Sequence, residues 1–189
     1  MIFEKIYVFG RAKILGNIYT FRGKAATGKS TLANMLAKEL SIPIFRVDDI
    51  VDALKMIENT DKEFNYYNVC YNVLYKMVQT NLDLETDFII DAGLSNRNGA
   101  KYFYNRLCFK DIKPVGFFII CSNENEWRRR HEERIMNPQP NQIFKSFEDV
   151  IEYYKNSDVG PLENEHIIDT ADTFEKCCDK MLKIISLSN

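Results

Sequence analysis

No window of this 189-residue sequence approaches the roughly 20 apolar residues that a membrane-spanning helix needs, so none is expected. Charge of one sign is also lacking: 25 Lys and Arg stand against 27 Asp and Glu, a formal net charge of −2. A pI near 5.8 gives the chain as a whole no attraction to nucleic acid or an anionic membrane. Binding of that kind would need a local basic patch. The five cysteines (Cys70, Cys108, Cys121, Cys177 and Cys178) form an odd, scattered set with no C-x-x-C pair. That argues against a disulfide framework or a zinc site, and the adjacent Cys177 and Cys178 read as buried small hydrophobes. His131 and His166 show no metal-ligand spacing and are given no catalytic role. The segment Met1–Gly10 carries Glu4 and Lys5 inside its apolar stretch and has no Ala-x-Ala-like cleavage site. It does not read as a signal peptide, and a reducing cytoplasm is the expected compartment.

What is present is globular: 46% hydrophobic and 28% charged residues, with length for one domain and one sizeable core. Short β-type runs alternate with helical stripes. Strands are predicted at 18–21, 42–47, 88–91, 115–120 and 166–168. Helices are predicted at 30–40, 49–57, 64–78, 125–136, around 147–154, and after an Asp172/Glu175 capping box. Continuous apolar runs such as Val115–Ile120 suit parallel strands covered on both faces. The alternation indicates an α/β, doubly wound, mostly parallel sheet. Ile6–Ala12 echoes Ile18–Ala25. Residues 1–15 are therefore read as an N-terminal extension or added edge strand, and 16–189 as the domain.

Gly23-Lys24-Ala25-Ala26-Thr27-Gly28-Lys29-Ser30, followed by Thr31, matches G-x-x-x-x-G-K-[ST] in full. Average residue usage predicts a chance match in roughly one chain in a few hundred. The glycines let the loop curl so that backbone N–H groups face phosphate oxygens, and the next helix turns its positive dipole end to the same anion. Lys29 is placed to reach the β/γ-phosphates and the Ser30 hydroxyl to ligate Mg²⁺. The match lies between a β-type run and an amphipathic helix, the context this motif requires.

Two acidic elements follow. Asp48 and Asp49 stand at the exit of the second strand, where a carboxylate can accept the proton of an attacking hydroxyl. Asp48 is favoured over Asp49, and helix capping by Asp48 is the competing reading. Asp91 ends an apolar strand and suits the water shell of Mg²⁺. Ala92 comes next, where motor-type ATPases commonly place a glutamate. N-K-x-D and L-S-G-G-Q motifs are absent too, which weighs against GTPase switches and transporter ATPases. Arg130 and Arg134, four residues apart, share one helical face and suit a phosphate clamp. A solvated helix with Glu126 paired to Arg130 is the alternative. The tyrosines of 64–78 read as core or as an acceptor wall.

Taken together, Gly23–Ser30, Val47-Asp48-Asp49, Phe88–Asp91 and the Arg130/Arg134 pair resemble the P-loop kinases grouped as AAA-domain kinases. That group includes chloramphenicol phosphotransferase-like, gluconate kinase-like, zeta-toxin-like and polynucleotide kinase-like proteins. The resemblance implies a three-layer P-loop NTPase fold with a five-stranded parallel sheet and a helical lid at about 124–140. It also implies Mg²⁺ and ATP as cofactors and transfer of a phosphoryl group to a hydroxyl of a small-molecule or nucleotide acceptor. By position it assigns Lys29, Asp48, Arg130 and Arg134 to catalysis, residues 23–31 to the nucleotide, and Ser30 and Asp91 to the metal. Asn96-Arg97 resembles the acceptor-side segment. Polynucleotide kinase-like members often carry Asp-x-x-Arg at the second strand exit, whereas Val51 stands there in this chain. A nucleic acid end is thereby disfavoured. A regulatory module that binds nucleotide with little turnover shares the phosphate loop and remains open.

Overall fold

A computed structural model describes residues 16–55, 66–138 and 142–188. The expected extension or edge strand at 1–15 lies outside the described residues, as do the first two residues of the helix predicted at 64–78. Five parallel strands form one sheet: β1 (Ile18–Gly23), β2 (Ile44–Arg46), β3 (Phe88–Asp91), β4 (Val115–Ile120) and β5 (Glu165–Asp169), in the order β2-β3-β1-β4-β5. The described helices are α1 (Lys29–Leu40), α2 (Val47–Lys55), α3 (Tyr66–Asp83), α4 (Arg97–Asn105), α5 (Glu124–Met136), α6 (Phe147–Lys155) and α7 (Phe174–Ser188).

Strand periodicity divides the core. Ile18, Phe88 and Ile90 point to one face, where α2, α3 and α4 contribute Val51, Leu74, Val78 and Phe103. Tyr19, Phe21 and Ile89 point to the other, against Leu32 and Leu36 of α1 and Met181 and Ile185 of α7. Cys177 and Cys178 are buried on that second face, as their helical position implied. A smaller cluster of Trp127, Phe147 and Val150 joins α5 to α6. The result is the three-layer fold that the resemblance implies.

Three local readings change. α2 begins at Val47, so Asp48 sits within its first turn and does not precede it as a cap. Thr173, not Asp172, caps α7: its Oγ1 accepts from the Lys176 N–H at 3.4 Å. α4 is amphipathic, turning Ala100 and Phe103 to the core, but was not expected from the sequence. It is started by Asn96, whose side chain accepts from the Gly99 N–H at 3.0 Å.

The register places the site. Phe21 of β1 and Arg46 of β2 both stand level with Asp91 of β3, so three carboxyl ends open together beside the loop after β1. Ligands of open α/β sheets bind beyond these ends, where neighbouring connections diverge.

Candidate active site at the carboxyl ends of the strands

The loop 23–30 leaves β1 and enters α1 with Ala26 (φ 58°) and Gly28 (φ 92°) in left-handed conformations. A Cβ at Gly28 would lie 2.6 Å from the Phe174 ring, so contact with α7 demands glycine as much as the backbone angle does. Lys29 Nζ donates to the Lys24 carbonyl at 2.7 Å, and Thr27 Oγ1 donates to the same oxygen at 2.9 Å. The Ala25 peptide is gripped from both sides. Its N–H donates to Tyr154 Oη at 2.9 Å, and its carbonyl accepts from Trp127 Nε1 at 2.8 Å. The Lys24 ammonium lies over both of those rings, 5.0 Å from the Trp127 centroid and 5.5 Å from that of Tyr154. Helices α5 and α6 thus hold the phosphate loop through the two backbone groups of one residue, Ala25.

Asp91 is buried at the end of β3. Its Oδ2 accepts from Ser30 Oγ at 3.0 Å and from Arg46 Nε at 2.9 Å. Arg46 also reaches Asn34 Oδ1 at 2.8 Å and lies 3.7 Å from Asp49 Oδ1. The two strand-exit aspartates therefore diverge. Asp49 turns outward to Arg46, and Asp48 faces the cavity. Burial raises the Asp48 carboxyl above the ordinary carboxylate range and the Asp91 charge adds to it, while Lys29 and Arg134 oppose the shift. Burial lowers the Lys29 ammonium in turn, against the pull of Asp91 and Asp48.

Two cavities meet here. One, of about 390 Å³, has Asp48, Tyr67, Tyr71, Ser95 and Tyr154 in its walls. The other, of about 320 Å³, is bounded by Gly28, Ser30, Thr31, Arg130 and Phe174. Lys29 and Arg134 are the two residues that line both. The arginines of α5 therefore separate. Arg130 stays on the second side, where Glu126 accepts from its Nε at 2.7 Å and Thr170 binds the rest of the guanidinium, which lies over the Phe174 ring. The Glu126–Arg130 pair anticipated for a solvated helix is formed, but it orients Arg130 into a cavity. Glu126 is held down to about 2 by Arg129 and then by Arg130. α5 ends at Met136 with Asn137 as its C-cap, and residues 139 and 140 of the expected lid lie outside the described residues.

Sequence reasoning missed Arg46, Arg22, Trp127 and Tyr154. Arg22 carried a signal, as a charged residue inside an otherwise apolar strand. It is wholly buried, pairs with Glu165 at 2.5 Å and donates to the Leu94 and Ser95 carbonyls, pinning the loop after β3. Arg97 fixes the far end of that loop through Asp158 and the Pro161 carbonyl.

With the geometry in hand, known proteins give context. The model of a family described as an AAA domain matches residues 18–154. No curated protein matches the sequence. Among solved structures, a candidate kinase of Chloroflexus aurantiacus is 17% identical, with a TM-score of 0.69 over 89% of this chain and 98% of that one. Kti12 of Chaetomium thermophilum, solved with ADP-AlF3, gives 13%, 0.61, 88% and 97%. A gluconokinase of Sinorhizobium meliloti gives 14%, 0.57, 89% and 90%. These likenesses are of fold.

Proposed function

The chain belongs to the AAA domain family, and from that premise we propose that it is an ATP- and Mg²⁺-dependent phosphotransferase acting on a hydroxyl of a small molecule. One observation carries the reading: the two cavities share Lys29 and Arg134. A phosphoryl group passing between them must cross a wall made of two cations, with a carboxylate waiting on the far side.

The residues fit both cofactors. The curled loop 23–30 leads into the start of α1, the arrangement that presents backbone N–H groups to a polyphosphate, with the Ala25 N–H held by Tyr154. Ser30 Oγ and Asp91 Oδ2, 3.0 Å apart, put two hard oxygens together, a donor set suited to Mg²⁺ that keeps waters. The ion supplies charge neutralisation on the phosphates when bound. Arg46 shares the same carboxylate oxygen and fixes its direction.

Within this frame Lys29 leaves the Lys24 carbonyl to bind phosphate oxygens, and Arg134 neutralises charge as it develops at the junction. Arg130 grips the nucleotide side. Asp48 accepts the acceptor's proton, and its raised affinity for protons makes it a better base than an exposed aspartate. A nucleic acid end is the weaker acceptor, since Val51 offers no partner to an acceptor phosphate. Cytoplasmic location belongs to the same reading. No described helix is long and apolar enough to cross a membrane.

The test is ADP release from Mg·ATP in the presence and absence of hydroxyl acceptors. Acceptor-dependent release is expected, falling at least about 100-fold in Lys29→Ala, because a charge-stabilising donor is removed. Full activity in Lys29→Ala contradicts the proposal.

A further inference from the structure

The first cavity is walled by rings. Tyr67 and Tyr71 of α3 make one wall, and Phe144, Tyr153 and Tyr154 make a second. The second wall is built edge to face, with centroids of Phe144 and Tyr153 5.2 Å apart and those of Tyr153 and Tyr154 5.0 Å apart. Two of the rings are anchored by their hydroxyls: Tyr71 Oη donates to the Ala92 carbonyl at 2.9 Å, and Tyr154 Oη holds Ala25. Burial and the Asp48 charge raise both the Tyr67 and the Tyr71 hydroxyl, and Tyr153 adds to each.

These rings are only partly covered by protein. Tyr67 is 44% exposed and Tyr153 56%, with Ile143 beside them at 53%. Scattered exposed rings need no explanation. Several gathered around one cavity of about 390 Å³, beside a base and two cations, mark a surface shaped for a ligand.

Among the described residues lining the cavity, the charged side chains are Lys29, Asp48 and Arg134. Phosphoryl transfer occupies all three. An acceptor bearing its own carboxylate or phosphate would bring an anion against rings and neutral Gln142 and Ser95, with no further cation for it among the described lining residues.

We propose that the acceptor is a neutral alcohol bearing a flat aromatic or heteroaromatic ring. The ring stacks on faces offered by Tyr67, Tyr71, Phe144 and Tyr153, and the hydroxyl reaches Asp48. The proposal rests on the phosphotransferase reading of the same site. In the step, the acceptor oxygen bonds to the γ-phosphorus as that phosphorus parts from the β,γ-bridging oxygen. The bridging oxygen keeps the electron pair and leaves with ADP, and the hydroxyl proton passes to Asp48.

Two panels test it, each offered with Mg·ATP for turnover and with a non-hydrolysable ATP analogue for binding by saturation-transfer NMR. The first holds neutral ring-bearing alcohols, with nucleosides and aryl propanediols as separate arms to tell heteroaromatic from aryl sources. The second holds ring-free sugar acids and sugar phosphates. At least one ring-bearing alcohol is expected to bind and to be turned over in preference to every member of the second panel. Tyr67→Ala and Tyr153→Ala should each raise its KM about tenfold, with Phe at either position restoring it, since a stacked face and not a hydroxyl is being removed. Both positions are exposed, so neither truncation empties the core. Preference for the acids or phosphates overturns the proposal and leaves the phosphotransferase reading standing. So does failure of every ring-bearing alcohol to bind to protein that holds the nucleotide analogue. Protein that binds no nucleotide overturns both.

Discussion

A carboxylate between a lysine and an arginine would ordinarily be held ionised, yet burial and Asp91 together outweigh those cations at Asp48. The same imbalance affects stability. The folded protein holds the Asp48 proton more tightly than the unfolded chain does. Stability is therefore lost as pH rises from the ordinary aspartate range through the raised folded value. In nucleotide-free protein at neutral pH, Asp48→Asn should be more stable than wild type to urea. The gain should disappear below the ordinary aspartate pKa, and an unchanged or lower midpoint at neutral pH would contradict the assigned burial. The position of Asp48 and Asp49 at a strand exit was legible from the sequence, whereas the divergence of their side chains was not. Arg46, which draws Asp49 and Asp91 to itself, was not legible. Its partners are set by β2 pairing with β3 across 45 residues of chain, and no local pattern encodes that neighbour.

At the scale of elements, the strands were readable from continuous apolar runs and the long helices from their length and the spacing of a few apolar residues such as Leu32 and Leu36. Val115–Ile120 and Phe88–Asp91 have the predicted bounds. Helix α4 was not read from the sequence, since it spans only Arg97–Asn105 and Asn98 and Gly99 in its first turn are poor helix formers. Its placement depends on tertiary ties instead. Arg22 joins β1 to β5 through Glu165 and holds the Leu94–Ser95 backbone that leads into α4. Arg22→Ala leaves Glu165 buried without its cation and removes the donors to those carbonyls. A loss of about 3–5 kcal/mol in unfolding free energy by chemical denaturation is expected. A second change, Glu165→Gln, should recover part of it, and a cost near zero for the single variant would show that water replaces the arginine.

Across the whole molecule, the fold class followed from alternating strands and helices, but the order β2-β3-β1-β4-β5 is a property of long-range pairing. That order sets β1 beside β3 and brings the phosphate loop, Asp48 and Asp91 to one edge. The separation of Arg130 from Arg134 also emerges only at this scale. Helical spacing put them on one face, while Thr170 and Phe174, some 40 residues onward, draw Arg130 aside. Phosphoryl transfer across the Lys29–Arg134 wall to a hydroxyl at Asp48 is the central claim. Transfer of label from γ-labelled ATP to a metabolite extract, compared between wild type and Asp48→Asn, tests it most directly. Wild type should label a small molecule, and Asp48→Asn should lower that rate at least about 100-fold, the usual worth of a general base. Labelling undiminished in Asp48→Asn, or release of label only as inorganic phosphate by wild type, would contradict it.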